Sequence, residues 1–207
     1  MKTKLYDQKW KEIGDVDLND AIFAQEPNDG LVHRALMLQL SNGRTNVAHT
    51  TTRGERRGST RKIYKQKGTG RARMWGNRSP VRRKGWVVFG PRNNQNFVLG
   101  MNKKERRKAL FCVLSQKLRE KQIIVVDEIK LKEMKTKLMM EVFAKLPVEK
   151  TILLAIVGKE KTLVKSAANI TGVKSIDIAY LNIKDLLKFK SLVIVQEGLA
   201  KLDMLAK

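Results

Sequence analysis

At 207 residues the chain can bury one well-packed core and carry an appendage, but it is too short for two full domains. Its 43 Lys and Arg against 20 Asp and Glu leave a net charge of +23 and a pI near 10.3, a surplus that points to a polyanionic partner. Cys112 is the only cysteine, which excludes an internal disulfide and a multi-cysteine zinc site, and no apolar run reaches the ~18 residues of a membrane-spanning helix.

Residues 1–14 mix Lys2, Lys4, Asp7, Lys9, Lys11 and Glu12 without an apolar core, so neither a signal peptide nor a transit peptide is expected and the protein should be cytoplasmic. Asp29 and Gly30 then lead Leu31, Val32, Ala35, Leu36 and Leu38 at helical spacing, with Asn42 and Gly43 as the stop, which predicts the first helix. Residues 43–101 break that grammar. They lose apolar periodicity, and Gly, Arg, Thr, Asn and Ser dominate. Residues 44–92 hold fifteen Lys or Arg and one acid, Glu55, so +14 of the net charge sits in 49 residues. Such a segment cannot bury enough surface to fold by itself. It reads as a long arm that orders on a partner and, as an extended hairpin, spans at most ~100 Å. An acidic membrane surface would demand a basic amphipathic helix there, so no membrane partner is expected.

Beyond the arm the chain alternates helices and strands. Asn102 should cap a helix with Leu110, Val113, Leu114 and Leu118 on its apolar face, ending near Lys121. Continuous apolar runs rich in β-branched residues predict buried strands over residues 123–126, 152–157, part of 173–178, and 192–195. Between and after them, Leu138, Val142, Phe143 and Leu146, then Leu163, Val164, Ala167 and Ala168, then Ile183, Leu186 and Leu187, then Leu199, Leu202 and Leu205 keep helical spacing. The expected fold is α/β: a parallel sheet of about four strands covered by helices on both faces, with a long extended basic loop inserted after the first helix. Residues 1–42 and 102–207 would form one discontinuous globular domain, and residues 43–101 the arm.

The candidate binding residues concentrate in the arm. Arg44, Arg53, Arg56, Arg57, Arg61, Lys62, Arg78, Arg82, Arg83, Lys84 and Arg92 supply phosphate contacts. In the stretch Lys65, Gln66, Lys67, Gly68, Thr69, Gly70, Arg71, Ala72, Arg73, cations alternate with residues small enough for backbone N–H groups to approach phosphates, a chemistry suited to threading between RNA strands. Tyr64 and Trp75 can stack on unpaired bases. Trp86 begins the apolar cluster Trp86-Val87-Val88-Phe89, and packing is favoured over stacking for it.

Other motifs fail on their own terms. Gly68-Thr69-Gly70 is no dinucleotide fingerprint, because Arg73 holds the place of the third Gly and no strand precedes it. Gly158-Lys159 is no phosphate loop, with Leu153 where the first Gly belongs and Glu160 where Ser or Thr does. His33 and His49 lack a carboxylate or cysteine at catalytic or metal-ligand spacing, and His33 is read as structural. Asp127, at a strand end, is read as a helix cap. No catalytic residue, metal or cofactor is expected.

The arm and the helix after it resemble the bacterial large-subunit ribosomal protein L4 family, also written uL4. The likeness runs through Thr52-Arg53-Gly54-Glu55, Gln66-Lys67-Gly68-Thr69-Gly70-Arg71-Ala72-Arg73, Arg78-Ser79-Pro80, Gly85 with Val87-Val88-Phe89-Gly90-Pro91, Lys103-Lys104 with Arg106-Arg107, and Lys135-Thr136-Lys137-Leu138. It covers residues 52–138 with order and spacing kept. Two departures stand out: Ile63-Tyr64 replaces the usual Pro-Trp, and Ser59-Thr60-Arg61 and Trp86 stand where glycines are frequent. The resemblance implies a non-enzymatic structural protein of the cytoplasmic ribosome. Its expected partners are large-subunit ribosomal RNA, neighbouring large-subunit proteins, and the nascent peptide at an arm tip (about residues 63–73) that lines the exit tunnel. It adds Lys103, Lys104, Arg106 and Arg107 to the RNA-binding set. An RNA-modifying enzyme with a basic substrate arm and a DNA-packaging protein are the competing classes.

Overall fold

The computed structural model describes residues 1–82, 86–131, 133–147, 151–158 and 160–206. The chain divides into two compact units, Met1–Leu40 with Leu99–Lys207, and Ser41–Val98. In the first unit the elements run β1 (Lys2–Tyr6), β2 (Glu12–Asp17), α1 (Asp20–Phe23), α2 (Asp29–Asn42), α3 (Lys103–Arg119), β3 (Ile123–Val126), α4 (Thr136–Lys145), β4 (Ile152–Ile156), α5 (Lys161–Ala168), β5 (Val173–Asp177), a 3-10 turn (Ile178–Tyr180), α6 (Ile183–Lys188), β6 (Ser191–Val195) and α7 (Gln196–Ala206).

Among the described residues, six strands form one sheet in the order β2-β1-β3-β6-β4-β5. The expectation of about four parallel strands is corrected on both points. The sheet gains β1, parallel to β3, and β2, antiparallel to β1. The arm also follows the second helix rather than the first, since the four-residue α1 precedes α2. Both additions escape sequence patterning for the same reason. Only Leu5 of β1 is buried and β2 is almost wholly exposed, so neither carries the continuous apolar run of a central strand. Acidic Glu12, Asp15 and Asp17 occupy this edge, a charge pattern that discourages edge-to-edge pairing.

The central strands are buried on both faces, and their period of two sorts side chains into two cores. Ile123, Val125, Leu153, Ala155, Leu192 and Ile194 pack with residues of α1, α2, α3, α6 and α7. Ile124, Val126, Ile152, Leu154, Ile156 and Val193 face the other way, onto α4 and α5. In-register parallel pairing, Ile123 with Leu192 and Leu153 with Leu192, keeps like faces together.

Four local expectations are corrected. Asn102 occupies the N-cap position of α3 but its side chain makes no capping hydrogen bond. Leu110 and Leu118 are only partly buried, because Ala109, Phe111, Cys112, Val113 and Leu114 carry the buried arc of a helix enclosed on several sides. Asp127 caps no helix: α4 begins at Thr136 behind Lys135, and the Asp127 amide instead donates to the Tyr6 carbonyl at 3.0 Å. His33 is exposed on α2, so it is no packed core histidine. Of the Gly158-Lys159 pair, Lys159 lies outside the described residues.

Candidate nucleic-acid interface

Beyond the last two residues of α2, the unit Ser41–Val98 contains neither helix nor strand among its described residues, and two limbs are pinned to each other by hydrogen bonds that nest around a tip. Ser41 Oγ donates to the Phe97 carbonyl (2.6 Å) and Asn46 Nδ2 to the Gln95 carbonyl (2.7 Å). Thr50 N donates to the Pro91 carbonyl (2.9 Å). Farther out, Arg78 Nε donates to the Gly58 carbonyl (2.7 Å) and Ile63 N to the Trp75 carbonyl (3.0 Å). The Tyr64 hydroxyl, the outermost pin, donates to the Ala72 carbonyl. The chain reverses between these last two residues. Gly68 (φ +79°) and Gly70 (φ +64°) take the left-handed conformation there, which explains why glycines flank Thr69.

The thirteen described bases of the arm fall into two groups by what their side chains meet. Arg78, Arg82, Arg92 and Lys62 are half-buried and work within the arm. Arg78 bonds to the Gly58 and Arg53 carbonyls, Arg82 to Asn77 Oδ1 (2.6 Å), and Lys62 to Gln66 Oε1 (2.5 Å). Arg92 pairs with Glu55, the only acid in this stretch, at 2.7 Å. The Thr52 amide and Arg92 together hold the Glu55 carboxyl below the ordinary carboxylate range. Arg44 lies over the Phe97 ring (5.4 Å), Arg56 over Trp86 (3.8 Å) and Lys62 over Trp75 (4.6 Å). By contrast Arg53, Arg57, Arg61, Lys65, Lys67, Arg71 and Arg73 are exposed, and their side chains make no hydrogen bond or ion pair among the described residues. Arg83 and Lys84, with Gly85, lie outside the described residues.

Gln66, Gly68, Thr69 and Gly70 are all exposed at the tip. An open concavity of about 790 Å³ near it is lined by Arg61, Lys62, Tyr64, Lys65, Asn77 and Arg82 among others. A second, of about 360 Å³, gathers Arg53, Ser59, Trp75 and Arg78. Trp75 is 70% exposed, so one aromatic face remains open beside these cations. In the apolar cluster that begins at Trp86, Trp86 is half-buried under Arg56, whereas Val87, Val88 and Phe89 are exposed. The indole Nε1–H of Trp86 is buried and has no acceptor among the described residues.

In the first unit, Lys103, Lys104, Arg106 and Arg107 stand exposed on the opening turns of α3. Lys103, Arg106 and Arg107 line a groove of about 450 Å³ with Gln39 of α2 and Asn182 at the start of α6. The family resemblance pointed to these cations but not to Gln39 or Asn182, which the groove adds through tertiary contact: Gln39 Oε1 accepts from the Lys184 amide at 2.9 Å.

Comparison with known proteins adds an independent line. The family model described as the ribosomal protein L4/L1 family matches residues 16–205. The large ribosomal subunit protein uL4 of Dehalococcoides mccartyi is 42% identical over 205 residues, covering 99% of this chain and 97% of that protein. Those of Syntrophomonas wolfei and Lachnospira eligens are 38% and 41% identical, over 98% and 96% of this chain and 97% and 96% of theirs. Matched along nearly its whole length, with the cationic arm and the α/β unit both inside the match, the chain belongs to the ribosomal protein L4/L1 family.

Proposed function

We infer that this protein is a structural, non-enzymatic component of the large ribosomal subunit in the cytoplasm, and that it binds ribosomal RNA and neighbouring large-subunit proteins. Residues 1–42 and 102–207 act as the anchoring domain, and residues 43–101 as an arm that penetrates RNA. The observation that carries this reading is the row of exposed cations whose side chains form no hydrogen bond or ion pair among the described residues: Arg53, Arg57, Arg61, Lys65, Lys67, Arg71 and Arg73. Unpaired guanidinium and ammonium groups crowded on one segment repel each other, and phosphates relieve that repulsion while releasing condensed counterions. Left-handed glycines at the tip keep the backbone narrow enough for close approach.

The tip, about residues 63–73, lines the peptide exit tunnel, where Lys65, Lys67 and Arg71 meet the nascent peptide. Lys103, Lys104, Arg106 and Arg107 form a second RNA contact on the anchoring domain. The test is fractionation of cell extract at moderate salt. Co-sedimentation with large subunits is the expected result; recovery with DNA, or with free RNA carrying a modification that depends on the protein, would replace this reading with one of its competitors.

A further inference from the structure

We propose that Phe89 is a base-stacking finger: its ring stacks on an unpaired base of the RNA that the arm holds. The proposal rests on the RNA-binding reading of the arm. Phe89 is fully exposed, and its φ of +58° places a bulky residue in the left-handed region, a conformation that costs free energy and persists only where the surroundings over-determine it.

Those surroundings are visible on both sides of the residue. After it, the Pro91 carbonyl accepts from Thr50 N (2.9 Å) and Thr50 Oγ1 (3.2 Å), while Arg92 bonds the Thr50 carbonyl (3.2 Å) and Glu55. Gly90 is pressed against the same threonine, since a Cβ there would lie 2.1 Å from Thr50 Oγ1. Before it, Trp86 is held beneath the Arg56 guanidinium. The turn is thus fastened to the opposite limb at both ends, and the ring is what it presents outward.

The chemistry around the ring selects the occupant. Val87 and Val88 beside it are 55% and 54% exposed, which makes an apolar platform too small to be a core and left uncovered by the arm itself. It lies in a segment of fifteen bases and one acid, and that acid is consumed by Arg92. A ligand that offers a flat apolar face and brings negative charge satisfies both features, and an unpaired nucleotide does so. Aromatic rings in cationic segments bind bases in this way, with little regard for sequence.

Binding of the full chain to large-subunit ribosomal RNA, measured over a salt series, tests the assignment. Phe89→Trp should bind within about threefold of the unaltered protein. Phe89→Leu and Phe89→Gly should bind about 5- to 150-fold more weakly with an unchanged salt slope, since stacking is lost and no charge is removed. Phe89→Gly relieves the left-handed strain, so its weakening cannot come from a broken turn. Wild-type affinity in Phe89→Gly overturns the proposal. So does full affinity in Phe89→Leu, which would mean a merely apolar contact such as a protein pocket or a second copy offers. In either case a steep salt slope of the unaltered protein leaves the arm reading standing. A flat slope would remove that reading and the finger with it.

Discussion

Lys117 of α3 is only 6% exposed, and its ammonium donates to the Phe189 carbonyl (2.9 Å), the Lys190 carbonyl (2.7 Å) and Gln122 Oε1 (2.9 Å). Two of those acceptors belong to the C-terminal end of α6, where a cation both satisfies orphan carbonyls and opposes the helix dipole. Lys117→Met keeps the apolar stem and strands the acceptors, so it should destabilise the fold by about 2–3 kcal/mol, read as a lowered midpoint in denaturant. Asp185 at the start of the same helix is also buried. Burial pushes its carboxyl up, but hydrogen bonds from Lys174 Nζ (2.5 Å) and Asn182 Nδ2 (2.8 Å) outweigh that, and its pKa is held below the ordinary carboxylate range. A folded-state pKa below the unfolded one means that its stabilisation is complete above the unfolded value and is lost as pH falls through the folded one. Melting temperature should therefore fall between about pH 5 and pH 2 more steeply in the unaltered protein than in Asp185→Asn. Equal slopes would show that this carboxyl is not what acid titrates. Neither role is legible in the sequence, where Lys117 is one of 43 bases and Asp185 one of 20 acids.

Elements are legible in the sequence where one local pattern determines them. The all-buried strands Ile123–Val126 and Ile152–Ile156 announce themselves as β-branched or aliphatic runs, and α2 matches its expected bounds because its starting Asp29 and Gly30 and its final Asn42 frame a clear apolar face. The hairpin of β1 and β2 was missed because its place depends on β1 meeting β3, a pairing more than a hundred residues away. Composition sets residues 43–101 apart, but it carries no trace of the limb pairing, since the pins join polar residues with no periodicity. Deleting residues 63–73 removes the Tyr64–Ala72 and Ile63–Trp75 pins and leaves those at Arg78–Gly58 and below. Shortening the 59-residue insertion to 48 changes loop-closure entropy by roughly 0.2 kcal/mol, so the melting temperature should move by no more than about a degree or two. A loss of many degrees would make the tip part of the core. Amide exchange in the free protein should be fast through most of residues 44–92, where exposed polar pins are all that opposes charge repulsion, and should slow when RNA is added. Protection equal to that of β3 before RNA is added would contradict this.

For the whole molecule, charge governs the thermodynamics of association. Arg53, Arg57, Arg61, Lys65, Lys67, Arg71 and Arg73 are available in the arm, and the opening turns of α3 offer Lys103, Lys104, Arg106 and Arg107. If about six to ten of these meet phosphates, affinity for ribosomal RNA should fall by roughly 10³ to 10⁵ between 50 and 200 mM salt. Removing one free cation, as in Lys65→Ala, should lower the slope by about one. Arg78→Ala should do something different, weakening binding by loosening the limbs while leaving the slope closer to that of the unaltered protein. Similar slopes for the two variants would erase the distinction between pinning and contacting bases.

The sequence by itself determined the α/β class, the central strands, a concentrated block of basic charge and the family, because each is written in contiguous residues: apolar runs, helical spacing, a run of Lys and Arg, an ordered set of motifs. Only the tertiary structure decided that the sheet has two further strands at one edge, that Arg78 and Arg92 hold the limbs together through hydrogen bonds, and that Phe89 points outward from a fastened turn. Those outcomes depend on which distant groups come within hydrogen-bonding or packing distance. Composition and periodicity carry no record of such encounters, since an arginine that grips a carbonyl and one that waits for a phosphate are the same letter in the chain.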